Sequence, residues 1–293
     1  MIKTVWSLIR DTLTAWIDDY APSMGAALAF YTLFSIAPLL LIVISVAGLL
    51  FGEDAARGEI MEQLSGLVGV DSARTLQSVL ESLNQPSASA YGTVVGVGVL
   101  LIGATTVFGE LQNAMDRIWR SPDLPAPRGG FWSILRSRLL SAGVVLGVGF
   151  LLMVSLVASA ALAALGKWWA PWFGNMAMAA NLVDWALSFL SMTALFGMIY
   201  KWLPRAKVPW SDVLVGAALT ALLFTIGKFL IGLYIGRSGV ASPFGAAASL
   251  VVLLLWVYYS AQIFLLGAEF TWIYSHRHGS RKPQVQAQPQ AQD

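Results

Sequence analysis

Residues 250–273 read LVVLLLWVYYSAQIFLLGAEFTWI, a stretch that holds one charged side chain, Glu269, and one amide, Gln262. At 1.5 Å of rise per residue, a helix needs about 20 mostly apolar residues to cross the roughly 30 Å hydrocarbon core of a bilayer. So long a run with so little charge reads as a transmembrane helix, from about Phe244 to Tyr274. Outward from it, five more runs meet the same measure, at about residues 26–51, 91–108, 139–165, 182–202 and 213–235. The second is expected to continue as a more polar helix to Trp119. Backbone polar groups in lipid must be satisfied within their own segment, and the alternation of a barrel strand is absent, so all six are expected to be helices.

Composition agrees. Of 293 residues, 57% are apolar and 12% charged, against about 45–50% and 25% in a soluble domain. A formal charge of +2 supplies no basic field for nucleic acid. The absence of cysteine excludes disulfides, thiolate metal sites and cysteine nucleophiles. The expected class is therefore an all-α, polytopic membrane protein with six transmembrane helices.

Ahead of the first run, Ile2, Val5, Trp6, Ile9, Leu13, Trp16 and Ile17 recur at three- and four-residue intervals, with Lys3, Arg10, Asp11 and Asp18 on the other face. That pattern predicts an amphipathic helix lying on the membrane over residues 1–20. The charges interrupt the apolar core a cleaved signal peptide would need, so residue 1 is expected to be retained. Thirteen Lys and Arg fall on the starting side of the six runs and four on the other, which puts both termini in the cytoplasm. The segment at about 52–90 is then periplasmic. Its spaced Ile60, Leu64, Leu67, Val79, Leu80 and Leu83 among six acidic residues predict short amphipathic helices. The membrane domain is expected over 21–278. A Gly-, Pro- and Gln-rich tail over 279–293 is expected to be disordered.

Three strings carry a resemblance: AALAFYTLFSIAPLLL at 26–41, VFGELQNAMDRIWR at 107–120 and the 250–273 stretch. Together with KWLPRAKVPWSDVLVGAALTALLFTIGKFLIGLY from Lys201 to Tyr234, they resemble the YihY/virulence factor BrkB family of bacterial inner-membrane proteins. The similarity runs from about Ala21 to Ser275. It implies six helices in the bacterial plasma membrane. Members of that family long carried the label ribonuclease BN, and envelope lipid or solute transport is its suggested role.

Several side chains are candidates for a binding cavity. Pro38 stands about 12 residues, roughly 18 Å, into the first run, near the expected midplane, and shares a face with Tyr31 and Ser35. Proline supplies no N–H there, so a kink is expected, serving either transport or structure alone. Tyr258, Gln262 and Glu269 share one face of the last run by their four- and seven-residue intervals. Glu269 and Glu110 are both expected near the cytoplasmic boundary, where they either line one vestibule or pair, Glu110 with an arginine of the Arg117–Arg138 cluster and Glu269 with Arg277 or the helix-end backbone. Lys228 is expected in the outer half of the membrane. It either snorkels to the surface or faces the bundle to meet an anionic headgroup or Asp184. The two histidines, His276 and His278, have no acidic neighbours to complete a ligand set, so no metal, cofactor or catalytic residue is expected. No phosphate-binding G-x-x-x-x-G-K-[ST] loop is present.

The function these features favour is movement of an amphipathic or anionic envelope molecule, a lipid or a precursor, without an ATPase of its own. The expected partners are membrane lipids. The alternative is a structural protein that docks an envelope protein through the periplasmic segment, and a ribonuclease comes third.

Overall fold

The computed structural model describes residues 2–83, 106–121, 176–238, 244 and 247–281, and every long element among them is an α-helix. In chain order these are α1 Ile2–Asp18, α2 Ala21–Phe51, α3 Glu53–Val68, α4 Val70–Leu83, α5 at residues 106–118, α6 Met176–Trp202, α7 Trp210–Ser238 and α8 Ala248–Arg277. By length and hydropathy, α8 and the Trp210–Tyr234 part of α7 are each able to cross a membrane. The pair Trp6–Asp18 and Ala21–Ala37 passes the same test jointly, bent by 63°. The fourth expected run falls within α6. The expected runs at 91–108, up to residue 105, and at 139–165 lie outside the described residues, as does the chain from 282 on.

Helix boundaries follow local chemistry. The α1–α2 corner is made by Tyr20 in the left-handed region, φ 57°, with a proline in the first two positions of α2. Pro22 suits the first turn of a helix, where its missing N–H would have no partner within the helix. Gly52 and Gly69 end α2 and α3 with φ of 89° and 85°, a conformation that costs glycine little. Acidic residues stand in the first turn of α3, α4 and α7, where the helix dipole favours them.

The helix α8 is the hub. Asp19 meets Glu269 and Gly25 faces Gln262, so α2 runs antiparallel to α8 and stays in step with it. By that register Pro38 comes level with the first turn of α8, and it stands 17 residues, about 26 Å, after Ala21 in the 31-residue α2. The backbone stays helical through Pro38.

On the other flank α7 is antiparallel to α8 and very close. A Cβ built on Gly216 would collide with Thr271, and one on Gly267 with Thr220 and the Tyr200 hydroxyl. The core then fills where α2, α5, α6, α7 and α8 converge, with Met24, Met115, Trp119, Phe196, Tyr200 and Phe264 among its buried side chains. Phe196 lies against Tyr200, Phe224 and Phe264 at centroid distances of 6.4, 5.7 and 6.2 Å, within the range of favourable aromatic pairs. Phe34, Leu190, Phe229 and Leu230 point outward, as suits helices in lipid.

The segment after α2 folds back. Leu80 of α4 is buried with Ala37 and Ile44 of α2, and Val68 and Leu76 with Leu253 of α8. Ser72 donates to the Ser249 carbonyl at 3.2 Å, and Thr75 to its hydroxyl at 3.0 Å. Val68, Leu76 and Leu80 are thus spent inside the chain, while Val70 and Val79 of α4 stay exposed. At the other end, Gly279–Arg281, expected in the disordered tail, are ordered. Ser280 donates its N–H and its hydroxyl to buried Asp212, at 3.2 and 2.6 Å to Oδ2. His276 and His278, expected just past the last helix, are the final residue but one and the C-cap of α8.

Substituting Gly267→Ala is expected to overpack the α7–α8 seam and destabilise the protein by about 1–3 kcal/mol, read as a lower thermal midpoint in detergent. Adding Thr220→Ala removes the colliding hydroxyl and should restore part of the loss.

Candidate functional site

Charge gathers at the end of the bundle where α8 finishes. Arg277 is paired with Asp11 of α1 and donates to Ser7 at 3.2 Å. Asp116 just inside the end of α5 takes Arg205 side chain and backbone at 3.3 and 2.8 Å. Arg117, Arg120 and Arg281 lie over Tyr20, Trp272 and Trp119 at 5.4, 4.2 and 5.4 Å. Five of the residues that supplied the Lys and Arg bias, Arg117, Arg120, Arg205, Arg277 and Arg281, stand here.

Inside this ring is a carboxyl pair. Glu269 of α8, 1% exposed, lies within hydrogen-bonding reach of the Asp19 carboxyl and within the field of Arg120. Two carboxylates held together away from water repel, and a buried charge without a partner is costly. Nearby polar atoms are also incomplete. Trp16 Nε1, Asp19 Oδ2, Trp119 Nε1, Gln262 Oε1 and Glu269 Oε1 are buried and have no hydrogen-bond partner. Gln262 uses only its Nε2, which donates to the Pro22 carbonyl at 3.4 Å. Buried polar groups are nearly always paired within folded proteins, and these atoms find no partner within the chain. The neighbouring hydroxyls are satisfied: Tyr200 donates to the Phe264 carbonyl at 2.7 Å and Thr271 to the Gly267 carbonyl at 2.6 Å.

Of the residues expected to line a cavity, Gln262 and Glu269 face this corner. Tyr258 continues their face of α8, half-buried. Glu110 is half-buried on α5, about 15 Å of helix rise from Arg120. Lys228 is exposed, 16 residues and about 24 Å along α7 from Asp212. Tyr31 is half-buried and edge-on to Phe30 at 5.7 Å, and Ser35 is buried, both farther along α2 toward the opposite end. Of Pro38 only the backbone is described, and the side chain of Asp184 lies outside the described residues. Asp19, Arg120, Trp16 and Trp119 were not among the expected lining. Asp19 reads in sequence as one more residue of the polar face of α1, and only the turn at Tyr20 aims it inward, while Asp18 stays exposed. Of the expected partners of Glu269, Arg277 is paired with Asp11.

A family model described as "Virulence factor BrkB" matches residues 12–292. A UPF0761 membrane protein of Pseudomonas aeruginosa (strain LESB58) is 28% identical over 262 residues, which is 86% of this chain and 59% of its own. Another, from Azotobacter vinelandii, is 30% identical over 274 residues, covering 88% of this chain and 62% of its own. A third, from Acinetobacter baylyi, is 24% identical over 284 residues, 95% of this chain and 64% of its own. This chain spans about three fifths of the length of these curated relatives. No solved structure matches.

If Arg120 offsets the carboxyl pair, a double-mutant cycle of Arg120→Ala and Glu269→Gln, read by thermal unfolding in detergent, is expected to show a coupling of about 0.5–3 kcal/mol. Strict additivity would separate Arg120 from the pair.

Proposed function

The chain belongs to the virulence factor BrkB family, relatives of which are named membrane proteins, and on that premise we propose a transporter or flippase-like role in the bacterial inner membrane. Its cargo is an amphipathic or anionic envelope molecule, a lipid or a precursor. The observation that carries this reading is the buried polar corner formed by Asp19, Gln262 and Glu269 within an apolar bundle. Ionisable side chains inside a membrane domain are expensive, and where they occur they commonly line a pathway for substrate, ions or protons. A protein that needed α8 only as a strut would be better served by Leu at positions 262 and 269.

The sequence holds no phosphate-binding loop of the P-loop type, so the reading draws its driving force from a gradient, from the cargo's own gradient, or from a partner. Both termini are placed in the cytoplasm by the Lys and Arg bias, which also sets the polar corner near the cytoplasmic face.

A scaffold that docks an envelope protein through α3 and α4 is a weaker fit. Leu76, Leu80 and Val68 are already buried against α2 and α8, and the outward side carries exposed Glu53, Asp54, Glu62, Asp71 and Glu81 beside only two exposed large apolar residues, Val70 and Val79. An external partner would therefore have to be recognised by charge.

Complementation of a deletion phenotype tests the transport reading. Glu269→Gln and Gln262→Ala, each shown by gel filtration to be folded and inserted, are expected to lose most of the activity of the wild type, and the exposed Lys228→Ala to keep it. Full complementation by both corner variants would overturn the reading.

A further inference from the structure

The amphipathic helix α1 turns its apolar side away from the protein. Trp6 and Ile17 are 68% and 62% exposed, and Ile9, Leu13 and Tyr20 are exposed on the same side. The opposite side is the one that grips the bundle: Thr12 and Ala15 are buried, and Asp11 and Ser7 hold Arg277. In water such a stripe would forfeit the gain of burying several large side chains. Its occupant is set by its place in the chain. The helix α1 joins α2 directly, at 63°, so a bilayer crossed by α2 meets α1 from the side and receives its stripe at the level of the headgroups.

At that level stand three arginines outside the salt bridges, one of which, Arg120, also lies in the field of Glu269. Arg205 and Arg277 are in salt bridges, but Arg117, Arg120 and Arg281 form none among the described residues. Each instead lies over an aromatic ring, Tyr20, Trp272 and Trp119 in turn. Arg281 also donates one N–H to the Lys207 carbonyl at 2.9 Å. Stacking a guanidinium on a ring holds its plane and leaves N–H groups at its edge available for the paired oxygens of a phosphate. The three rings belong to one patch. Tyr20 is the corner residue beside Asp19, Trp119 adjoins Arg120 in the chain, and Arg120 covers Trp272.

We propose that the α1–α2 corner, the end of α5 and the turn after α8 form a seat for an anionic phospholipid, whose phosphate is held by Arg117, Arg120 and Arg281 and whose acyl chains lie along the exposed stripe of α1. The seat does not rest on transport, since a lipid held here serves equally as a fixed part of the membrane domain. Zwitterionic lipids would be disfavoured because their own ammonium competes for the phosphate.

The test is native mass spectrometry of the full chain released from nanodiscs of equal phosphatidylglycerol and phosphatidylcholine. Wild type is expected to retain phosphatidylglycerol preferentially. Arg117→Gln and Arg281→Gln, both surface changes, should each lower that preference about fivefold, at about 1 kcal/mol per basic residue near a charged leaflet. The corresponding lysine variants should recover part of it, and Arg74→Gln in α4 should leave it unchanged. Equal retention of the two lipids by wild type, or a preference unaffected by both glutamine variants, would overturn the proposal. Displacement of the lipid by millimolar inorganic phosphate alone would overturn it too, by showing a site for soluble anions. Loss of complementation in Glu269→Gln with phosphatidylglycerol still bound would leave the seat standing, so its failure and that of transport are read separately.

Discussion

The hydroxyl of Tyr200 joins three helices at one point. It belongs to α6, donates to a carbonyl of α8 and lies 3.0 Å from the Thr220 hydroxyl of α7. It fits because Gly267 on α8 has no side chain to displace it. Between helices in lipid the hydrophobic effect gives little drive, since the acyl chains are as apolar as leucine, so close packing and a few satisfied hydroxyls must hold the helices together. The seam supplies both. With α7 and α8 locked in register, α2 can lie along the free side of α8 and bring the α1–α2 corner to the level of Glu269.

That register also decides which polar groups are structural. The hydroxyls of Thr220 and Thr271 donate to carbonyls one turn back on their own helices, and Tyr200 to one across the seam. Such bonds close locally and leave nothing over. One turn away, Gln262 and Glu269 face a helix corner that offers one carbonyl and another carboxyl. The contrast between completed hydroxyls and incomplete amide and carboxyl groups on the same helix separates the seam from the candidate site.

The runs that become α7 and α8 were legible in the sequence because crossing a bilayer depends on length and apolarity alone. The amphipathic character of α1 was legible for a similar reason, in the three- and four-residue spacing from Ile2 to Ile17. What spacing does not carry is direction. Which face of α1 meets the protein is fixed by Arg277, some 270 residues away. The meeting of Asp19 with Glu269 likewise needs the angle of one corner and the register of two helices far apart in the chain. Gln262 and Glu269 were found as one face, while Glu110 and Lys228, equally polar and equally noticeable, stand elsewhere.

The turn after α8 has a consequence for how the protein is made. Asp212 opens α7, yet the groups that satisfy its carboxylate, the N–H and hydroxyl of Ser280, belong to a residue synthesised 68 positions later. Until that residue leaves the ribosome, the start of α7 carries a carboxylate bonded only by neighbouring Ser211. The start of α7 thus waits for two of its partners until the residues that follow α8 have been made.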